Sequence, residues 1–172
     1  MRSFSLAAVF AGLAVPAAWA DDLTVTFEVP RLRTAEYHAP YVAIWIERAD
    51  QTSAGTLAVL YDVAAPNNAG AEWLKDLRTW WRKAGRDMTL PADGLSGATR
   101  PPGRHTMTFD GARSALRTLP PGAYTLAVEA ARELGGREVV RAPFMWGAPG
   151  AAATATGASE LGVVSVVVAS SR

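Results

Sequence analysis

The sequence predicts an all-β protein, an antiparallel sandwich with one inserted α-helix. Two observations lead there. About seven short segments are rich in β-branched and aromatic residues and are separated by Gly, Pro and Asp turn signals. Only one stretch carries the longer apolar period of a helix.

Leu23 to Val29 alternates strictly, with Leu23, Val25, Phe27 and Val29 on one face and Thr24, Thr26 and Glu28 on the other. This is the pattern of a half-buried strand, and Pro30 ends it. Tyr41 to Glu47 is apolar on both faces, as a central strand is. Gly55 to Tyr61 follows a polar turn at Asp50 to Ser53, which predicts a hairpin. The helix comes next. Pro66-Asn67-Asn68 starts it, Glu72 suits its first turn, and Trp73, Leu74, Leu77, Trp80 and Trp81 make its apolar stripe. Arg82 and Lys83 fall in the last turn and Gly85 ends it. On this reading the three tryptophans anchor the helix on the sheet; the sharper alternative makes one of them a flavin-stacking partner.

Residues 86–104 read as a loop rich in Gly and Pro. Strands resume at His105 to Phe109, Ala123 to Ala130, Arg137 to Arg141 and Leu161 to Ala169. The stretch from Gly147 to Ala158 reads as a turn. The Pro121-Gly122-Ala123-Tyr124 lead-in to a strand is common in extracellular immunoglobulin-like modules, so the sandwich is expected to be immunoglobulin-like.

Residues 1–20 read as a secretory signal peptide. Arg2 supplies a basic start, Phe4 to Val15 an apolar core, and Ala18-Trp19-Ala20 a small-x-small cleavage site. As a membrane helix the run is short and has no basic flank on its far side. The expected location is the periplasm, and residues 21–172 form the single mature domain. Removing Arg2 leaves sixteen basic against sixteen acidic residues, so no bulk field draws the domain to nucleic acid or anionic lipid. The absence of cysteine rules out thiol catalysis, iron–sulfur clusters, thiolate zinc sites and c-type haem. His38 and His105 sit in no ligand-spaced motif.

The segment that carries chemistry is Asp93-Gly94-Leu95-Ser96-Gly97-Ala98-Thr99. It fits the Asp-Gly-x-Ser-Gly-Ala-Thr pattern at which bacterial flavin transferases attach FMN. It resembles the attachment sites of flavin-carrying subunits in sodium-pumping NADH:quinone reductases and related ferredoxin-dependent complexes. The resemblance implies FMN joined to the Thr99 hydroxyl as a phosphodiester by a transferase that uses FAD and Mg²⁺. Such a segment must fit another enzyme's active site, and its composition suits that. Gly94 and Gly97 give backbone freedom, Ser96 and Ala98 are small, Asp93 can orient the segment, and Thr99 supplies the nucleophile. Arg100 is next to Thr99 and is the cation expected to meet the phosphate; Arg104, Arg78, Arg82, Lys83 and Arg86 are nearby in sequence and are expected to be mainly solvated.

Blocks at Pro40 to Glu47, Trp73 to Trp81, Ser96 to Gly103 and Glu129 to Glu133 look like those of a family of predicted periplasmic proteins of unknown function. That family tends to occur with PepSY-type membrane proteins and flavin transferases. The likeness implies a redox chain in which a PepSY-type membrane protein passes electrons to a periplasmic flavin. The expected function is therefore an FMN-bearing electron carrier rather than an enzyme. Two alternatives stand beside it. One is an unmodified binding module with an immunoglobulin-like fold. The other is a small reductase with Tyr61, Glu129, Arg132 and Glu133 about a pocket, though Glu129 reads more simply as a strand-face residue and Arg132 and Glu133 as a rim pair. Neither the oligomeric state nor the electron acceptor follows from the sequence.

Overall fold

A computed structural model describes residues 21–34 and 36–170. The signal peptide expected at residues 1–20 lies outside the described residues. Among the described residues, nine strands form two sheets that share one core.

The first sheet has the order β5-β1-β9-β8. Strand β1 (Asp22–Val29) lies between β5 (Gly103–Phe109) and β9 (Val163–Ala169), antiparallel to both. Its alternation does what the sequence predicts: Leu23, Val25, Phe27 and Val29 are buried in the core. Phe27 is opposite His105 on one side and Val164 on the other, and its ring centroid is 5.5 Å from that of His105. Strand β8 (Ala152–Thr156) pairs with β9 at the edge. It lies inside the stretch expected to be a turn, because its Ala/Thr composition is a weak strand signal until β9 offers it a ladder.

The second sheet has the order β4-β3-β2-β6-β7. It consists of β2 (Tyr41–Glu47), β3 (Ser53–Tyr61), β4 (Ser96–Ala98), β6 (Gly122–Ala131) and β7 (Arg137–Trp146). Strand β2 is apolar on both faces because both faces are covered. Val42, Ile44 and Ile46 point into the sandwich, while Ala43 and Trp45 join a second cluster with Val59, Tyr61, Leu74, Leu77 and Trp80. At the start of β6, the Tyr124 hydroxyl donates to the Pro120 carbonyl at 3.0 Å.

The expected helix is mostly a 3₁₀ segment, Pro66–Asp76, followed by one short helix, α1 (Arg78–Lys83). Asn67 and Asn68 sit at φ 55 and 58, a left-handed turn that Asn tolerates better than most residues. The tighter winding changes which residues face the sheet. Leu74, Leu77 and Trp80 are buried on one stripe that runs from the 3₁₀ segment through Leu77 into α1. Trp73 is turned out to solvent. Of the three tryptophans, Trp80 alone is a fully buried anchor, with its indole N–H donating to Thr56 Oγ1 at 3.0 Å.

Candidate functional site

The Gly-rich stretch 86–104 is more structured than a loop. A 3₁₀ turn occupies Gly85–Asp87, β4 occupies Ser96–Ala98, and β5 starts at Gly103. Strand β4 adds to the sheet edge parallel to β3, with Val59, Leu60 and Tyr61 opposite Ser96, Gly97 and Ala98. The pairing departs from a purely antiparallel sandwich. It is possible because the long excursion through residues 66–95 brings the chain back along β3 in the same direction.

A turn presents the motif. Leu95 and Ser96 N–H both donate to the Ala92 carbonyl, at 3.2 and 2.9 Å. The Ser96 hydroxyl accepts from the Ala92 N–H at 3.0 Å and closes the turn from the other side. Asp93 and Gly94 form its exposed tip, and Gly94 has φ 74, a conformation that favours glycine. The Leu95 carbonyl then accepts from the Val59 N–H at 2.8 Å and starts the strand pairing. A Cβ at Gly97 would stand 3.1 Å from Leu60 Cδ2, so the glycine lets β4 lie close to β3. Ala98 is exposed. Thr99 is the first residue past the strand and is half-buried.

Thr99 opens onto a cleft of about 550 Å³ at the end of the second sheet where β3, β4 and β6 finish and β2 begins. Tyr41 and Asp62 come from the strand ends, Trp73 and Asp76 from the 3₁₀ segment, and Glu133 and Leu134 from the β6–β7 turn. This volume lies within the usual range of small-molecule and cofactor sites. Trp73 is 56% exposed and Leu134 is 87% exposed, so the cleft has an uncovered apolar wall and rim. Leu134 also has φ 53, which a leucine adopts at a cost.

The charge about the cleft is mainly negative. Asp62, Asp76 and Glu133 line it, whereas the Arg132 guanidinium is held by Glu160 through two contacts of 3.0 and 3.1 Å. His38 lies between two carboxylates, Nδ1 3.5 Å from Glu133 and Nε2 3.5 Å from Glu36. Its Nε2 is buried and makes no geometrically sound hydrogen bond. Burial pushes the Tyr41 hydroxyl above the ordinary tyrosine value, and a backbone hydrogen bond at Asp62 offsets part of the rise.

Of the residues predicted for the site, Asp93, Gly94, Ser96, Gly97, Ala98 and Thr99 form one continuous turn and edge strand. Arg100 is half-buried and joins none of the ion pairs found among the described residues. Lys83 is not a solvated charge. It pairs with Glu47 at 2.6 Å and donates to the Gln51 carbonyl. The residues proposed for a reductase pocket are dispersed. Tyr61 and Glu129 are fully buried beneath the helical segment, Arg132 pairs with Glu160, and Glu133 alone stands out at the rim. Asp62, Asp76 and Leu134 are cleft residues that sequence reasoning passed over, and Trp73 is one it placed on the buried stripe, with stacking on one of the three tryptophans as the alternative. The Pro66-Asn67-Asn68 start was the available signal. An Asn pair, compatible with left-handed backbone, is a signal for an interrupted helix.

Residues 22–163 match the model of the DUF2271 family, described as a predicted periplasmic protein. The chain belongs to the DUF2271 family. The matched region runs from the first residue of β1 to the first residue of β9, so it contains the whole Thr99 turn and every side chain of the cleft. The DUF2271 description agrees with the periplasmic location expected from residues 1–20. No curated protein and no solved structure matches the chain.

Proposed function

We propose that this DUF2271 protein is a periplasmic electron carrier that holds one FMN covalently through Thr99. The observation that carries the reading is the complete Asp-Gly-x-Ser-Gly-Ala-Thr motif on an accessible turn, with its threonine opening onto a cleft that has an exposed aromatic wall. A flavin transferase has two requirements of its substrate. The segment must enter a foreign active site, and the hydroxyl must be within reach. The exposed Asp93-Gly94 tip and the edge position of β4 suit the first, and the opening of half-buried Thr99 onto the cleft suits the second.

In the attachment, the Thr99 Oγ–P bond forms while the phosphoanhydride of FAD breaks and AMP leaves. The hydroxyl proton passes to a base of the Mg²⁺-dependent transferase. No electrons are exchanged in this step. When bound, the flavin supplies one- and two-electron redox chemistry; the chain's part is to tether, shelter and electrostatically tune it. The donor fits a PepSY-type membrane redox protein, met at the periplasmic face.

Two features support an immunoglobulin-like arrangement of the sandwich. The orders β9-β1-β5 and β3-β2-β6-β7 correspond to A-B-E and C′-C-F-G, with the first strand supplied from the C-terminal end. The Tyr124 hydroxyl bond to Pro120, at the corner leading into the F-equivalent strand, is the tyrosine corner of such domains.

Co-expression with a periplasmic flavin transferase, followed by denaturation, should give a fluorescent band and an intact mass raised by one FMN. Thr99→Ser should retain the adduct. A Thr99→Ala protein that still carries covalent flavin would defeat the assignment, and so would wild-type protein of unmodified mass.

A further inference from the structure

We propose that the isoalloxazine of an FMN tethered at Thr99 docks in this cleft, with Trp73 as its aromatic platform and Leu134 as the apolar contact at the rim. The inference rests on the Thr99 attachment proposed above and adds the place where the ring settles.

Of the five described tryptophans, Trp73 alone is exposed. A large indole left in water needs a reason, because burying it is favourable. Leu134, another lining residue, repeats the anomaly. It is the most exposed large apolar residue of the described chain, and it sits in a left-handed turn position where glycine is ordinarily found. Tyr37 and Val63 are exposed too, and each adjoins a cleft-lining residue in the chain, His38 and Asp62. Among the described residues, four of the six exposed large apolar ones therefore line this cleft or adjoin it in the chain, which marks a surface meant to be covered.

The occupant follows from the tether. Ribityl phosphate is short, so a ring attached at Thr99 can settle only on surfaces next to Thr99. Trp73 lines the same cleft as Thr99. Trp80 has no accessible surface, and Trp81 packs against it with ring centroids 6.2 Å apart and is not part of the cleft wall. Lys75 Nζ lies 5.4 Å from the Trp73 ring centroid and helps hold the indole in place. An oxidised flavin is a flat, uncharged, electron-poor ring, which suits an electron-rich indole and is compatible with the acidic side chains around it.

Flavin fluorescence tests this directly, since a stacked indole quenches it. Wild-type, Trp73→Phe and Trp73→Ala proteins are loaded by the transferase and matched for covalent FMN by intact mass. The loaded wild type should be several-fold dimmer than free FMN and should show high flavin anisotropy. Trp73→Ala should recover most of the free intensity and lose anisotropy, and Trp73→Phe should keep the anisotropy with weaker quenching. Trp73 is outside the core, so the fold should survive each change. Loaded wild type as bright and mobile as free FMN would overturn the docking, as would Trp73→Ala quenched as strongly as wild type; either result leaves the Thr99 attachment standing. Wild type with no covalent FMN would instead remove the attachment itself, and the docking with it.

Discussion

Glu129, in the middle of β6, accepts hydrogen bonds from the backbone N–H groups of Thr79 and Trp80 at 3.0 and 2.7 Å. It therefore caps the start of α1 from across the sheet surface. The carboxylate is fully buried and also meets Arg137 at 2.8 Å. Four residues before α1 come Leu74 and, beside it, Trp73, so this cap holds the segment that forms the cleft wall.

Replacing Glu129 with Gln should therefore destabilise the helical layer. The isostere keeps one acceptor but turns an amide NH₂ towards backbone donors and Arg137. The expected cost is about 2–4 kcal/mol. Thermal unfolding should show it as a midpoint lower by roughly 5–10 °C. Hydrogen exchange should show the loss first in residues 66–83, with the first sheet protected as before.

Stability should fall in acid through two carboxyls. Burial alone would raise Glu47, but hydrogen bonds from Arg141 and Lys83, with the charges behind them, outweigh it and hold the carboxyl below the ordinary glutamate value. Burial likewise raises Glu138, and the backbone N–H groups of Ala158, Leu161 and Ser159 outweigh it. Both groups titrate lower in the folded chain than in the unfolded one. Their stabilisation is thus complete above the ordinary glutamate range of about 4.3 and is lost as pH falls through the folded values. Urea midpoints measured across that window should decline towards acid. Glu47→Gln should be less stable at neutral pH and should flatten the decline.

Gly94 should be the most demanding position of the motif after Thr99. Its φ of 74 strains a β-branched residue, although nothing lies within 4 Å of the place a Cβ would take. Gly94→Val should cost the turn about 1–2 kcal/mol and slow loading by the transferase. Gly94→Asn, which accepts left-handed backbone, should load nearly as fast as wild type. Equal loading of all three would mean that the turn in the free protein is not the form the transferase binds.

The acidic cleft should hold down the potential of an FMN tethered at Thr99 as proposed, because Asp62 and Asp76 oppose added negative charge. Asp76→Asn in the loaded protein should raise the midpoint potential by roughly 10–20 mV, with a smaller effect at high salt. A shift in the opposite direction would show that the carboxylate acts by some route other than its charge.

Much of the sandwich was legible in the residues themselves. The alternation of Leu23, Val25, Phe27 and Val29 specifies which face of β1 is buried, because side chains on a strand alternate whatever the strand pairs with. The two-faced apolar run of β2 likewise required cover on both sides, and Pro121-Gly122-Ala123-Tyr124 leads into a strand as expected, β6. The Asp93 to Thr99 motif is likewise a local stretch of chain, visible in the sequence before any fold is known.

Tertiary structure decided the rest. Ser96, Gly97 and Ala98 have no strand propensity of their own and become β4 only because β3 offers an open edge. Glu47 and Glu129 look like surface residues until the helical layer lies over them. Trp73 fits an α-helical stripe, but the chain there winds as a 3₁₀ segment, with Leu74 buried and Trp73 in solvent. Periodicity and motif belong to neighbours along the chain, so the sequence determined them alone. Which edge is free, which face is covered and which tryptophan meets water depend on contacts between distant segments, and only the assembled fold sets those.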